Sequence, residues 1–146
     1  MMRRLALVAL ALACDTHSPQ GRSMKATHEN GLSFEYDERV REIAPLPDGY
    51  TLQLAPANTR AINEITVRVQ DAPVAGADAW PERTVGARTY RFSEERLDGG
   101  SGGDEYKLAI VTPVASRWVV LEQQVQSEQA PSFDVAWRVM QTAALR

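Results

Sequence analysis

Apolar residues in this chain recur at intervals of two, and that period restricts the fold more than any other feature. In Ile65-Thr66-Val67-Arg68-Val69 the β-branched aliphatics fall on one face and the polar residues on the other, as in a strand with one face in a core and the other in water. Leu32-Ser33-Phe34-Glu35-Tyr36 and Tyr50-Thr51-Leu52-Gln53-Leu54 alternate likewise, the second directly after the turn signal Pro47-Asp48-Gly49. Tyr90 and Phe92 alternate with charge over residues 89–96, residues 98–103 turn the chain, and Tyr106, Leu108 and Ile110 resume the alternation, which predicts a hairpin. Residues 118–126 give one more strand after a loop around Pro113. The count is about six strands joined mostly by short turns, hence an antiparallel sheet.

One stripe has the helical period instead. Phe133, Ala136, Trp137, Met140 and Ala144 share a face, Ser132 is placed to cap, and Asp134 suits the positive end of the dipole. Such a stripe is buried most simply against one face of the sheet, which makes the class α+β. Residues 71–88 contain Pro73, Gly76, Pro81 and Gly86 and read as an irregular connection with a short helix near Trp80. Residues 15–30 are polar, with Pro19, Gly21 and no periodicity, and read as a tether. A single globular domain is expected over residues 31–146.

The N-terminus determines the compartment. Arg3 and Arg4 precede an apolar run over residues 5–13, shorter than the roughly 20 residues a membrane span needs, so residues 1–13 read as a signal peptide. Ala11-Leu12-Ala13-Cys14 resembles the lipobox of bacterial lipoproteins, in which the cysteine becomes the new N-terminus and carries acyl chains. Ala11-Leu12 departs from the commoner leucine-then-small order, and ordinary cleavage after Ala13 is the alternative. Cys14 is the only cysteine, so no internal disulfide can form, and anchoring by more than one chain is stable. The expected location is the periplasm, on the inner or the outer membrane, touching it through the lipid alone. Without Arg3 and Arg4 the formal charge of −3 becomes −5, with 14 basic against 19 acidic residues. Such a balance disfavours nucleic acid and favours a basic partner.

Catalytic parts are sparse. The two histidines, His17 and His28, lie in the polar leader, where a general base is not held within reach of a nucleophile. With Cys14 lipidated, the domain offers no zinc constellation, and neither a GxGxxG turn nor a phosphate loop is present. Paired carboxylates such as Glu94-Glu95, Asp104-Glu105, Glu122 and Glu128 are the remaining route, but they fall at expected solvent positions. No enzyme activity and no cofactor are expected.

Asp98-Gly99-Gly100-Ser101-Gly102-Gly103-Asp104 is the one segment of unusual composition. It reads either as a plain hairpin tip, where glycine supplies positive φ, or as a recognition loop whose uncovered backbone approaches a partner while Asp98, Asp104 and Glu105 supply charge. It does not match the spacing of an EF-hand calcium loop. Trp137 and Trp118 read as core; Trp80, beside Pro81, reads as a candidate partner contact.

The opening Gly-Leu-Ser-Phe-Glu-Tyr-Asp strand, the run into Asp-Gly-Tyr-Thr-Leu, the antiparallel sheet and the closing helix with Phe133 and Met140 resemble the PsbP-like fold, an α/β/α sandwich of small exported lipoproteins. Among lipoproteins of this layout the sequence is most similar to type VI secretion immunity proteins that guard the owner's periplasm against a muramidase effector. The resemblance implies a monomer that plugs the substrate groove of a secreted peptidoglycan hydrolase, with any calcium belonging to that effector. Only Cys14 carries over as a motif match. Residues 98–105 and Trp80 are candidate contacts on physical grounds alone. The alternative is a non-catalytic structural or accessory lipoprotein of an envelope complex.

Cys14→Ser is expected to leave an unprocessed or soluble protein, and globomycin should block maturation of the wild type. Drug-insensitive processing with unchanged cleavage would refute lipidation.

Overall fold

The computed structural model describes residues 22–56 and 58–146; the signal segment, Cys14 and His17 lie outside the described residues. In chain order the elements are β1 (Met24–Thr27), β2 (Leu32–Tyr36), β3 (Glu42–Leu46), β4 (Gly49–Gln53), β5 (Asn63–Gln70), a 3-10 turn (Ala77–Ala79), β6 (Glu82–Val85), β7 (Arg88–Leu97), β8 (Asp104–Val114), β9 (Arg117–Ser127), α1 (Asp134–Thr142) and β10 (Ala144–Leu145). Seven strands form one sheet in the order β3-β4-β5-β9-β8-β7-β6, and β1, β2 and β10 form a small second one in the order β1-β2-β10. Every pair is antiparallel.

The period of two is expressed directly. Across the large sheet Leu52 pairs with Ile65, Val67 with Leu121, Leu121 with Ile110 and Val69 with Val119, all buried on one face. Val135, Ala136, Trp137, Val139 and Met140 of α1 cover that face. Trp137 makes edge-on contacts with Tyr90 and Phe92 at centroid distances of 5.7 and 5.5 Å, and the Arg83 guanidinium lies 4.3 Å over its ring. Arg88 donates to the carbonyls of Met140 and Ala143 at 3.2 and 2.7 Å, a cation at the negative end of the helix.

The small sheet closes the other flank of the core. Leu32 and Phe34 of β2 are fully buried, Phe34 meets Tyr50 edge-on at 5.6 Å, and the Tyr50 hydroxyl donates to the Thr27 carbonyl at 2.8 Å. The chain end is tied in where the Arg146 amide donates to the Gly31 carbonyl at 3.1 Å. Gly31, at φ +93°, passes so near the Arg146 backbone that no Cβ fits.

Several expectations change. The class is α+β, but ten strands are present among the described residues rather than about six, because β1, β3, β6 and β10 lack clear alternation. Pro45 in β3 is tolerated because β3 is an edge. The fold begins before Gly31: Met24–Thr27, assigned to the tether, is a strand held by register with β2. His28 is therefore inside the fold, 7 % exposed, accepting the Asn30 amide at Nδ1 and donating from Nε2 to the Leu46 carbonyl at 2.7 Å. Pro113 lies within β8, paired with Trp118, not in a loop, and Ala144 belongs to β10 rather than to the helix. Ser132 is not the cap as expected: Phe133 takes that position without a side-chain cap bond, and Ser132 stands one residue outside it, its hydroxyl accepting the Asp134 amide at 3.3 Å. Among the described residues α1 is the one α-helix. On the face away from it, the described residues that lie over the sheet are those of the irregular crossing with its 3-10 turn.

Asp37, 5 % exposed, follows directly after β2. Its carboxylate receives Arg39 Nε at 3.0 Å and Nη2 at 2.7 Å, the Arg39 amide at 2.9 Å and Arg138 Nη1 at 3.5 Å. The hydrogen bond from the Arg39 side chain holds its pKa below the ordinary 3.8 against the opposing effect of burial. A depressed folded-state pKa means that the unfolded chain takes up the proton first. The stabilisation is thus complete above the ordinary value and is lost as pH falls through the folded one. Asp37→Asn is expected to remove about 1–3 kcal/mol near neutral pH, with a gap to wild type that narrows in acid. Urea unfolding at both pH values checks this; an equal gap at the two would refute it.

Candidate partner interface

The face of the large sheet turned away from α1 is where side chains are available to a partner. Its shape follows from topology. β5 lies in the middle of the sheet and β6 at the far edge, so the chain between them must cross the strands that separate the two. It crosses on this outer face and covers only one end of it, where residues 73–78 lie against Arg91, Val111 and Trp118. Trp118, expected in the core, therefore sits half-buried under this crossing, its strand parity pointing outward beside buried Val119.

Below the crossing lies a groove of about 420 Å³ lined by Trp80, Glu64, Thr66, Ser93, Glu95, Lys107, Ala109, Glu122 and Gln124 among others. Register explains the depression. Thr66 pairs with Glu122, Glu122 with Ala109 and Ala109 with Ser93, a row with three small side chains next to bulkier rows. The following row is Glu64, Gln124, Lys107 and Glu95. Trp80 is fixed in place: Arg91 Nη1 donates to the carbonyls of Asp78 and Trp80 at 2.8 and 3.1 Å, Arg91 Nη2 pairs with Glu82 at 2.6 Å, and the Phe92 amide donates to the Pro81 carbonyl at 3.1 Å.

The glycine-rich segment is the β7–β8 hairpin tip at the other end of the same sheet, and it is clamped. Asp104 accepts from Arg96 Nε at 2.6 Å and pairs with Nη2, and it accepts the Gly99 amide at 3.3 Å. The Gly103 amide donates to the Gly100 carbonyl at 3.2 Å. The Arg96 side chain is the main cause that lowers the Asp104 pKa, and Asp104 in turn raises that of Arg96. Asp104 thus orders the loop instead of offering a bare charge, while Asp98, Gly99, Gly100, Ser101 and Gly102 stay exposed. Glu105 accepts from Gln124 at 2.5 Å and faces Lys107 at 3.5 Å, which joins the loop's root to the groove row. Ile62 and Leu97, the large apolar residues exposed at 42 % and 44 %, flank this root: Leu97 pairs with Glu105, Glu105 with Gln126, and the Gln126 amide donates to the Ile62 carbonyl.

Trp80 and residues 98–105 therefore share one face. Glu95 and Glu122 were visible as solvent positions of their strands, whereas Glu64 was not singled out. The cleft was not, because it depends on the crossing and on the register that lines up Thr66, Ala109 and Ser93. Among the described residues no group of three or more His, Cys, Asp or Glu is placed to hold a metal ion, and no helix is long and apolar enough to cross a membrane.

The type six secretion immunity 3 domain matches residues 39–144. A Pseudomonas aeruginosa protein, "Immune protein Tsi3", is 33 % identical over 148 residues, covering 97 % of each chain. A solved structure from Bacteroides thetaiotaomicron superposes with a TM-score of 0.63 at 13 % identity, over 87 % of this chain and 49 % of that one. The chain thus spans about half of that solved chain, and the likeness concerns the fold alone.

The root and the tip of the loop differ in what they tolerate. Gly103 has φ +93° and no space for a Cβ against the Ser127 backbone, whereas Gly100 has nothing within 4 Å. Gly103→Ala is expected to destabilise by about 1–3 kcal/mol, and Gly100→Ala by less than about 0.5. Thermal melts of the two variants check the contrast, and equal shifts would refute it.

Proposed function

Because this chain belongs to the type six secretion immunity 3 family, and so serves immunity in type VI secretion, we propose that it does so by binding and inhibiting a cognate secreted cell-wall hydrolase, a muramidase, in the periplasm. In this reading Cys14 anchors the mature chain to a membrane as a lipoprotein, the domain has no catalytic step of its own, and it is a monomer until the effector arrives. Calcium, if used, belongs to the effector.

The observation that carries the reading is the clamped loop with exposed Ile62 and Leu97 at its root. An inhibitor of an enzyme that cuts a large polymer needs an element that enters a concave site. A free glycine loop would lose roughly 1–2 kcal/mol per residue on being ordered. The clamp from Arg96 through Asp104 to the Gly99 amide has already restricted part of the loop, so less is lost on binding. The flanking apolar side chains supply area to bury, at about 25 cal/mol per Å².

The full-length chain, co-produced with a periplasm-directed muramidase encoded beside it, should prevent lysis, and the purified chain should halt peptidoglycan digestion at equimolar ratio. Replacing residues 98–103 by Asn-Gly should raise the dissociation constant by about 30-fold or more, read by calorimetry. Undiminished digestion in the presence of excess wild-type chain would defeat the proposal.

A further inference from the structure

The groove beneath Trp80 has a chemistry that the inhibitory role leaves unspecified. Glu64, Glu95 and Glu122 line it against one cation among the described residues, Lys107, and Lys107 already faces Glu105 at 3.5 Å. Gln53 donates to Glu64, but neither Glu95 nor Glu122 has an ion-pair or side-chain hydrogen-bond partner among the described residues. Beside them stands the half-buried indole of Trp80, held by the Arg91 bonds to the backbone at Asp78 and Trp80. The floor of Thr66, Ser93 and Ala109 leaves the space between indole and carboxylates open.

An indole on an anchored stretch of backbone, beside unpaired carboxylates, suits a guanidinium better than an ammonium. A planar cation can lie on the ring while its N–H fork meets a carboxylate, whereas lysine brings a point charge that stacks less well. Exclusion of water when the partner seats strengthens the attraction relative to an open surface. Resting on the inhibitor reading above, we propose that an arginine on a basic segment of the effector seats in this groove, stacked on Trp80 and paired with Glu95 and Glu122. This contact is separate from the loop at residues 98–105. The acidic balance of the whole chain, formally −3, would steer such a segment toward the protein.

The test uses the full-length chain and its candidate muramidase in stopped-flow association and calorimetry at several salt concentrations. The double variant Glu95→Gln with Glu122→Gln should raise the dissociation constant about 30-fold, slow association and flatten its salt dependence. Trp80→Ala should give a rise of about 10-fold or more, and Trp80→Phe, which keeps the packing, a smaller one. Glu35→Gln with Glu38→Gln, on and just after β2, changes the net charge equally and should leave binding within about twofold. Circular dichroism confirms that each variant is folded. Wild-type binding that survives the double variant and both Trp80 variants unchanged would overturn the proposal, as would a β2 control that weakens binding as much as the groove pair. If the unaltered chain itself fails to bind, the inhibitor reading falls and this one with it; the two failures are told apart by whether wild type binds.

Discussion

The rest of the molecule depends on the cover that α1 gives to the inward face of the seven-stranded sheet. That face presents Leu52, Ile65, Val67, Val69, Leu108, Ile110, Val119 and Leu121, each at most 3 % exposed. A buried aliphatic side chain is worth about 1.5–3 kcal/mol, so this row far outweighs any ion pair on the surface, where the usual return is below about 1 kcal/mol. A nine-residue helix has little stability alone. It persists because Trp137 is wedged against Tyr90 and Phe92 and because Arg88 holds its last carbonyls. The small sheet then seals the flank through Phe34 and Tyr50.

Committing one face to α1 leaves the other to the chain path. Since β5 and β6 are hydrogen-bonded to different parts of the sheet, the link between them has to run over β9, β8 and β7. It can shield the rows around Val111 and Trp118, but it leaves the rows from Thr66 down to Leu97 uncovered. A polar, partly concave surface is therefore a by-product of topology, and it lies between the crossing and the hairpin tip.

Much of the fold was legible in the sequence because alternation reports burial of one strand face directly. The strands around Ile65, Tyr90, Leu108 and Leu121 and the helix around Trp137 all follow from periodicity. Elements whose stability comes from partners elsewhere were not legible. β1 is specified by its pairing with β2 and by His28 docking on Leu46, not by a pattern of its own. β6 is almost wholly exposed and follows from pairing with β7. Trp118 reads as core from its apolar neighbours, yet parity turns it outward because Val119 and Leu121 take the inward positions. At the site, the glycine run and Trp80 could be picked out by composition. That they share one face with Glu64, Glu95 and Glu122 required the register of five strands.

The charge of that face has a structural origin as well. Arg96 is occupied with Asp104 in holding the hairpin tip, and Arg91 with Glu82 and the backbone at Asp78 and Trp80 in holding the crossing. Lys107 is directed toward Glu105. On the groove face Arg91 is thus engaged in holding the crossing and Lys107 with Glu105, while Arg96, in register with buried Tyr106, lies on the other side of the sheet; Glu95 and Glu122 are left without local compensation. In the free protein these carboxylates are hydrated at little expense because they remain exposed. Against a partner that excludes water the same carboxylates favour a cation strongly and reject an anion or a neutral apolar group. The Arg91 contacts that hold the crossing therefore also help set the sign of the charge that the face selects, which links shape and electrostatic preference on this side of the sheet.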